Sequence, residues 1–241
     1  MTTNYTKKEL LYDGNEKQIF ATEDPDKVII RYKDVTTAYN NIKRARFEGI
    51  GVYNNKISAL LFEELAKEGI ENHFIDLVSD REQLCRRIAW VNIVVVVHNW
   101  FAGTLSRHLN IAEGVKCPNV IVDLRYNTDE LENPLINNDQ AVALGLASYP
   151  ELQVIDSTAR KINDFLFKRF AAVGINLIDF KLEFGRTPDG KIILSDELSP
   201  DRCRLWDAAT GKKLDKDRFR QDLGYIVDGY KEVYERLIQQ Q

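Results

Sequence analysis

The chain has 241 residues, 44% hydrophobic and 29% charged, enough to bury a substantial core. Its formal net charge is -4, with lysines and arginines scattered rather than clustered, which argues against a polynucleotide-binding surface. No apolar run reaches membrane-spanning length, residues 1–8 lack a signal-peptide core, and three cysteines without metal-ligand spacing fit a reducing compartment. A cytoplasmic protein with small-molecule partners is expected, with no nucleic acid and no membrane; self-association into a homo-oligomer stays open.

Residues 9–35 alternate short apolar runs with turn signals, namely 10–12, Asp13-Gly14-Asn15, 19–21, a turn at Pro25, and 28–32. This predicts a β-meander with a glycine in its first hairpin. Residues 39–46 are polar and form a candidate lid. Over 54–69, Ile57, Leu60, Leu61 and Leu65 share one face, asparagines stand where an N-cap is needed, and Gly69 suits the residue after the last turn. That pattern predicts an amphipathic helix. Strands are expected at 74–77, 93–97 and 120–124, and helices at 157–174 and from Phe219 onward, the last capped by Asp215 or Asp217. A lobe boundary near 90–98 would divide the chain into 1–94 and 95–241.

The segment 178–185 alternates strictly. Ile178, Phe180, Leu182 and Phe184 fall on one face, and Asp179, Lys181 and Glu183 on the other. Pro188-Asp189-Gly190 reverses the chain, and 191–198 reads as a returning strand that carries Asp196 and Glu197. A two-residue turn would set Glu183 opposite Asp196; a type I turn with a glycine bulge, which the sequence favours, shifts the register by one. In either register neighbouring carboxylates call for a cation, and hard oxygen ligands suit Mg²⁺. The plainer alternative is a half-exposed hairpin neutralised by Lys181 and Lys191. A polar loop with two arginines, Arg202 and Arg204, follows and suits a phosphate or carboxylate.

In tandem, DFKLEFG at 179–185, SDELSPDRCRLWD at 195–207 and DKDRFRQDLG at 215–224 resemble the SAICAR synthetase family. Weaker likenesses extend this over nearly the whole chain: LYDGNEKQIF near the start, Asn54-Asn55-Lys56, HNWFAGTLSRHL, and Asn133-Pro134. The resemblance implies an α+β, two-lobed, ATP-grasp-like fold. A small β-rich lobe, similar to the nucleotide-binding lobe of kinases, packs on a larger α/β lobe with ATP in the cleft. It implies an ATP- and Mg²⁺-dependent carbon–nitrogen ligase that joins aspartate to the carboxylate of a phosphoribosyl-aminoimidazole (CAIR), giving SAICAR in purine biosynthesis through an acyl phosphate. By the same resemblance Glu183 and Asp196 hold Mg²⁺, and Lys181 and Asp179 lie beside the reacting carboxylate. Arg204 grips the substrate's phosphate or carboxylate, helped by Thr104 where the family usually has serine. Lys17 meets the ATP phosphates, and the stretch from Arg87 through Trp90 to Val94 forms the hinge against adenine.

Several positions depart from the family pattern. Asn15 replaces a lysine, Val35 and Asn40 replace two carboxylates, Ile50 a lysine, Val94 the hinge glutamate, Asn127 a basic residue, and His98 the substrate-binding arginine. Histidine lacks the permanent charge and bidentate fork of arginine, and His98 also reads as a packed residue closing strand 93–97. Two other readings therefore stay open: a relative acting on another phosphoribosylated nucleotide in a specialised nucleoside pathway, and a non-catalytic nucleotide-binding protein on the same scaffold.

Overall fold

The computed structural model describes residues 5–39 and 42–239; Asn40 lies outside the described residues. The meander forms as β1 (Leu10–Asp13), β2 (Lys17–Ala21) and β3 (Lys27–Tyr32). A second hairpin, β4 (Val35–Ala38) with β5 (Lys43–Arg46), stands apart. Helix α1 (Ile50–Lys67) follows, then β6 (Phe74–Ser79) and β7 (Glu82–Arg86), which complete an antiparallel sheet of order β1-β2-β3-β7-β6. The larger sheet begins at β8 (Ala89–Trp100), an unbroken strand that contains Val94, so the change of sheet comes at Arg87 and Ile88.

After β8 come α2 (Gly103–Leu109), β9 (Lys116–Tyr126), β10 (Leu135–Ile136), α3 (Asn138–Ala143) and α4 (Tyr149–Ala172). Strand β11 (Ile175–Arg186) then lies between β8 and β12 (Ile192–Ser195), and β13 (Cys203–Asp207) pairs with its first half. The chain closes with α5 (Asp217–Arg220) and α6 (Ile226–Ile238). The main core gathers the apolar faces of β8 and β11 against α4, α1 and α6. Phe180, Leu182 and Phe184 are buried there, as the alternation requires.

Helix boundaries differ from expectation for identifiable reasons. Helix α1 starts at Ile50, not at the asparagines, because Asp34 reaches its N-terminus from upstream. Its Oδ1 accepts the backbone N–H groups of Gly49 and Gly51, each at 3.1 Å, while Arg81 donates to both of its oxygens at 2.7 and 2.8 Å. Asn54 and Asn55 lie buried inside the helix and bond Asp201 and the Ser79 carbonyl instead. Helix α4 begins at Tyr149 rather than 157, since Ser148 and Glu151 form a reciprocal capping box with Pro150 in the first turn. The C-terminal helix breaks in two where Gly224 (φ 69°) and Tyr225 (φ 49°) take left-handed backbone.

The β4–β5 hairpin is tied to the C-terminal segment. Tyr39 donates its hydroxyl to the Arg220 carbonyl at 2.8 Å, and Lys43 reaches the Phe219 carbonyl at 2.6 Å. Ile50 is fully buried with Ala38, Phe219, Ile226 and Tyr230, an apolar nest in which a lysine would lose its hydration.

Replacing Asp34 by Ala strips two backbone donors at the start of α1 and unpairs Arg81. Urea denaturation is expected to register a loss of about 2 kcal/mol, the sum typical of a cap with charge-assisted hydrogen bonds.

Candidate active site

A cleft of about 1320 Å³ separates the two sheets. One wall is the β1–β2 hairpin with Gly14 and Lys17; the other is the polar face of β8 and β11. Lys17, Trp90, His98, Thr104, Asp179, Lys181, Glu183, Asp196 and Arg204 all line it, as do Asn15, Val94 and Asn127. Arg87 does not. Its side chain is exposed away from the cleft, and its backbone N–H donates to the Asp26 carbonyl at 2.7 Å. Val35 and Ile50 also lie off the cleft lining.

The hairpin after β11 takes the shifted register, with Glu183 opposite Ser195. Gly190, at φ 85°, accommodates the bulge, and its N–H donates to the Thr187 carbonyl at 2.8 Å. Strand β12 ends at Ser195, short of the expected span, because Asp196 turns left-handed at φ 65°. That turn carries Asp196 and Glu197 off the strand and into a buried cluster with Glu183.

The cations that neutralise this cluster are Lys17 and Arg202. Lys17 pairs with Asp196 and lies 3.1 Å from Glu197. Arg202 sets its Nε 2.8 Å from Asp196 and 3.6 Å from Glu197, and its Nη2 3.5 Å from Glu183. Lys191, expected to share that task, pairs with Glu71 on the outside. Against the burial that favours its neutral form, Arg202 and Lys17 hold Asp196 below the usual carboxylate range. Glu183 goes the other way: burial, then the repulsion of Asp196, push it up to about 7. Asn127 donates to it at 3.3 Å, a neutral hydrogen bond in place of a charge.

Lys181 projects into the open cleft and has no hydrogen bond from its side chain among the described residues. Enclosure by the cleft walls, then the nearby Arg202, Arg220 and Lys216, lower it to about 7. Cleft water tempers the first cause and leaves the crowd of cations as the durable one. Beside it, Asp179 pairs with Arg204, whose Nε lies 2.6 Å from Asp217. His98 stands between two acids, its Nε2 3.3 Å from Asp123 and its Nδ1 3.7 Å from Asp179, ion contacts without hydrogen-bond alignment. Against burial, those two carboxylates raise the imidazole above its ordinary value.

Sequence reasoning left several wall residues without a role. Lys216 pairs with Glu16 at 2.6 Å, and Asp217 anchors both Arg204 and Arg220. The alternating charges of 215–220 were the available signal. Asp201 is buried beneath the loop, held by Asn54 at 2.7 Å and the Tyr230 hydroxyl at 2.7 Å. The carboxylate donor set fits a hard divalent cation. Glu183 feels the charge of Asp196, the buried Glu197 Oε2 lacks a hydrogen-bond partner among the described residues, and Glu16, Glu197 and Asp201 bring carboxylate oxygens within 4.8 Å of one another.

The family model described as SAICAR synthetase matches residues 10–237. The chain belongs to the SAICAR synthetase family. It is 49% identical over 231 residues to the phosphoribosylaminoimidazole-succinocarboxamide synthase of Clostridium botulinum (strain Eklund 17B / Type B), covering 96% of this chain and 98% of that protein. The Clostridium beijerinckii synthase is 48% identical over the same span of 231 residues, 96% of this chain and 98% of that protein. Among solved structures, the Ehrlichia chaffeensis synthase superposes with a TM-score of 0.93 at 42% identity, covering 95% of this chain and 98% of that one. A SAICAR synthetase in complex with ADP gives 0.92 at 42% identity, over 95% and 97% of the two chains. The two-lobed α+β fold expected from the motifs is the fold of this family.

His98 and His73 make a contrast that NMR can read. Burial holds His73 down to about 4, so its ring stays neutral near pH 7, while His98 titrates above the usual histidine value. A raised folded-state value means that the contribution of His98 to stability is complete below about pH 6.5 and is lost as pH rises through the folded value. The stability advantage of the wild type over His98→Gln is therefore expected to shrink as pH rises above about 6.5 in urea titrations. A constant difference would show that His98 is not held as the cation.

Proposed function

We propose that this chain is an ATP-dependent carbon–nitrogen ligase that joins aspartate to the carboxylate of CAIR, forming SAICAR, ADP and phosphate in purine biosynthesis. The observation that carries the reading is the polar face of β11, where Asp179, Lys181 and Glu183 meet Asp196, Arg202 and Arg204 inside one cleft between two sheets. Full-length similarity to synthases of this name supports it. Three free, buried cysteines accord with work in the reducing cytoplasm.

A carboxylate becomes an acylating agent only when one oxygen turns into a leaving group. One CAIR carboxylate oxygen attacks the γ-phosphorus of ATP, ADP departs, and an acyl phosphate results. The aspartate amine then attacks the acyl carbon, phosphate leaves, and the amine gives up a proton. Glu183 and Asp196 would hold Mg²⁺, which when bound screens the charge of the nucleotide phosphates. Lys17 approaches those phosphates from the opposite sheet. Lys181, without a carboxylate ion pair among the described residues, supplies charge beside the transferred phosphoryl group. Arg204, braced by Asp179 and Asp217, is held in place to grip the substrate's anionic end. Trp90, 40% exposed at the cleft mouth, and Val94 offer an apolar wall to the base.

A second reading rests on His98, which stands where the family pattern has arginine and is engaged by Asp123 and Asp179. Under it, the same machinery acts on another phosphoribosylated nucleotide. The deciding assay combines purified protein with CAIR, aspartate and Mg·ATP, follows ADP release and identifies the product by mass. SAICAR at an enzymatic rate upholds the first reading, and bound ATP without product transfers support to the second. In the same assay Glu183→Gln is expected to lower turnover by about a thousandfold or more, with the melting temperature retained because one repelling charge is removed from the cluster. Unchanged turnover would remove Glu183 from the site.

A further inference from the structure

Arg202 is placed by its backbone before its side chain does anything. Its N–H donates to the Ser199 carbonyl at 2.9 Å, and its carbonyl accepts from Lys181 N–H at 2.9 Å, which seats the residue against β11. From that point the guanidinium spans three carboxylates at once, Asp196, Glu197 and Glu183. Lys17 covers Asp196 and Glu197 from the other sheet. The oxygens best suited to a divalent ion thus already face two monovalent cations, and a cation at bonding distance from Asp196 would have to displace Arg202 from 2.8 Å.

The guanidinium is not sealed in. Its side chain is 23% exposed and borders the cleft. A planar fork of donors is suited to phosphate oxygens, so a triphosphate entering the cleft offers it an alternative set of partners. We propose that Arg202 is a resident counter-cation of the Glu183, Asp196 and Glu197 cluster, keeping the free protein from taking up a divalent cation until nucleotide phosphates draw the guanidinium away. Arg202 is then a positioning residue that sets the order of binding, nucleotide with or before metal. This rests on the reading of Glu183 and Asp196 as metal ligands.

The test is Mn²⁺ titration of the full-length protein, read by water-proton relaxation enhancement, with and without the non-hydrolysable analogue AMP-PNP. Without nucleotide, Arg202→Gln is expected to bind Mn²⁺ about tenfold or more tightly than the wild type, which shows no enhancement in that range. Arg202→Lys, which keeps a charge, shows little gain, and Glu183→Gln in the Arg202→Gln background abolishes it. Wild type with AMP-PNP gives strong enhancement. Equal Mn²⁺ affinity of free wild type and Arg202→Gln overturns the proposal, as does a gain that survives Glu183→Gln. If Arg202→Gln fails to fold, tight Mn²⁺ binding by free wild type still overturns it. No enhancement in any state, AMP-PNP included, would remove the metal reading itself and this inference with it.

Discussion

Strand β11 is hydrogen-bonded on both sides, by β8 along one edge and by β13 and then β12 along the other. It cannot rotate or slip without moving its core side chains to the wrong face. That constraint ties packing to chemistry: the burial of Phe180, Leu182 and Phe184 is what holds Asp179, Lys181 and Glu183 toward the cleft. The three polar side chains inherit the rigidity of the core; Asp196 and Arg202 reach them on the loop between β12 and β13, and Arg204 stands on β13 opposite Asp179.

Around this strand the site is assembled from charges that no single segment could neutralise. Lys17 comes from the first sheet, Arg202 from the loop before β13, and Lys216 from the turn before α5. Asn54 and Ser58 on α1 hold that loop from behind, through Asp201 and the Leu198 N–H. Within the cleft the two sheets are bridged by ion pairs, a junction that responds to whatever charged molecule enters. Buried ion pairs contribute little net stability, because desolvation offsets their attraction. Their value here lies in placing opposed charges where a nucleotide can exchange partners with them.

The periodic parts of this arrangement were legible in the sequence. The alternation in β11, the glycine bulge that sets its hairpin register, the meander and the helical stripes are local patterns, and each was read with its correct face. What escaped was long-range. The start of α1 depends on Asp34, between β3 and β4, whose carboxylate bonds it directly and is held in turn by Arg81. Lys191 looked like the natural neutraliser of the hairpin acids because it is near them in sequence, yet it points outward to Glu71, and the true partners come from elsewhere. Arg87 enters the hinge by likeness alone, and it is not among the residues that line the cleft. Glu16, Lys216 and Asp217 lie inside recognisable motifs, but their pairings, Glu16 with Lys216 and Asp217 with Arg204, join segments that only the fold brings together.

The left-handed turn at Asp196 has a consequence for how this site can vary. Outside glycine, that backbone region is tolerated best by asparagine and aspartate, whose short polar side chains bond locally, and it penalises longer or branched ones. Of the two acidic amino acids, the shorter is the better suited to this conformation. Conformation thus narrows this point of the cleft to short polar side chains, and the paired cations favour the charged one among them. The regular extended backbone of β8, where His98 lies, sets no such limit on which side chain can stand there.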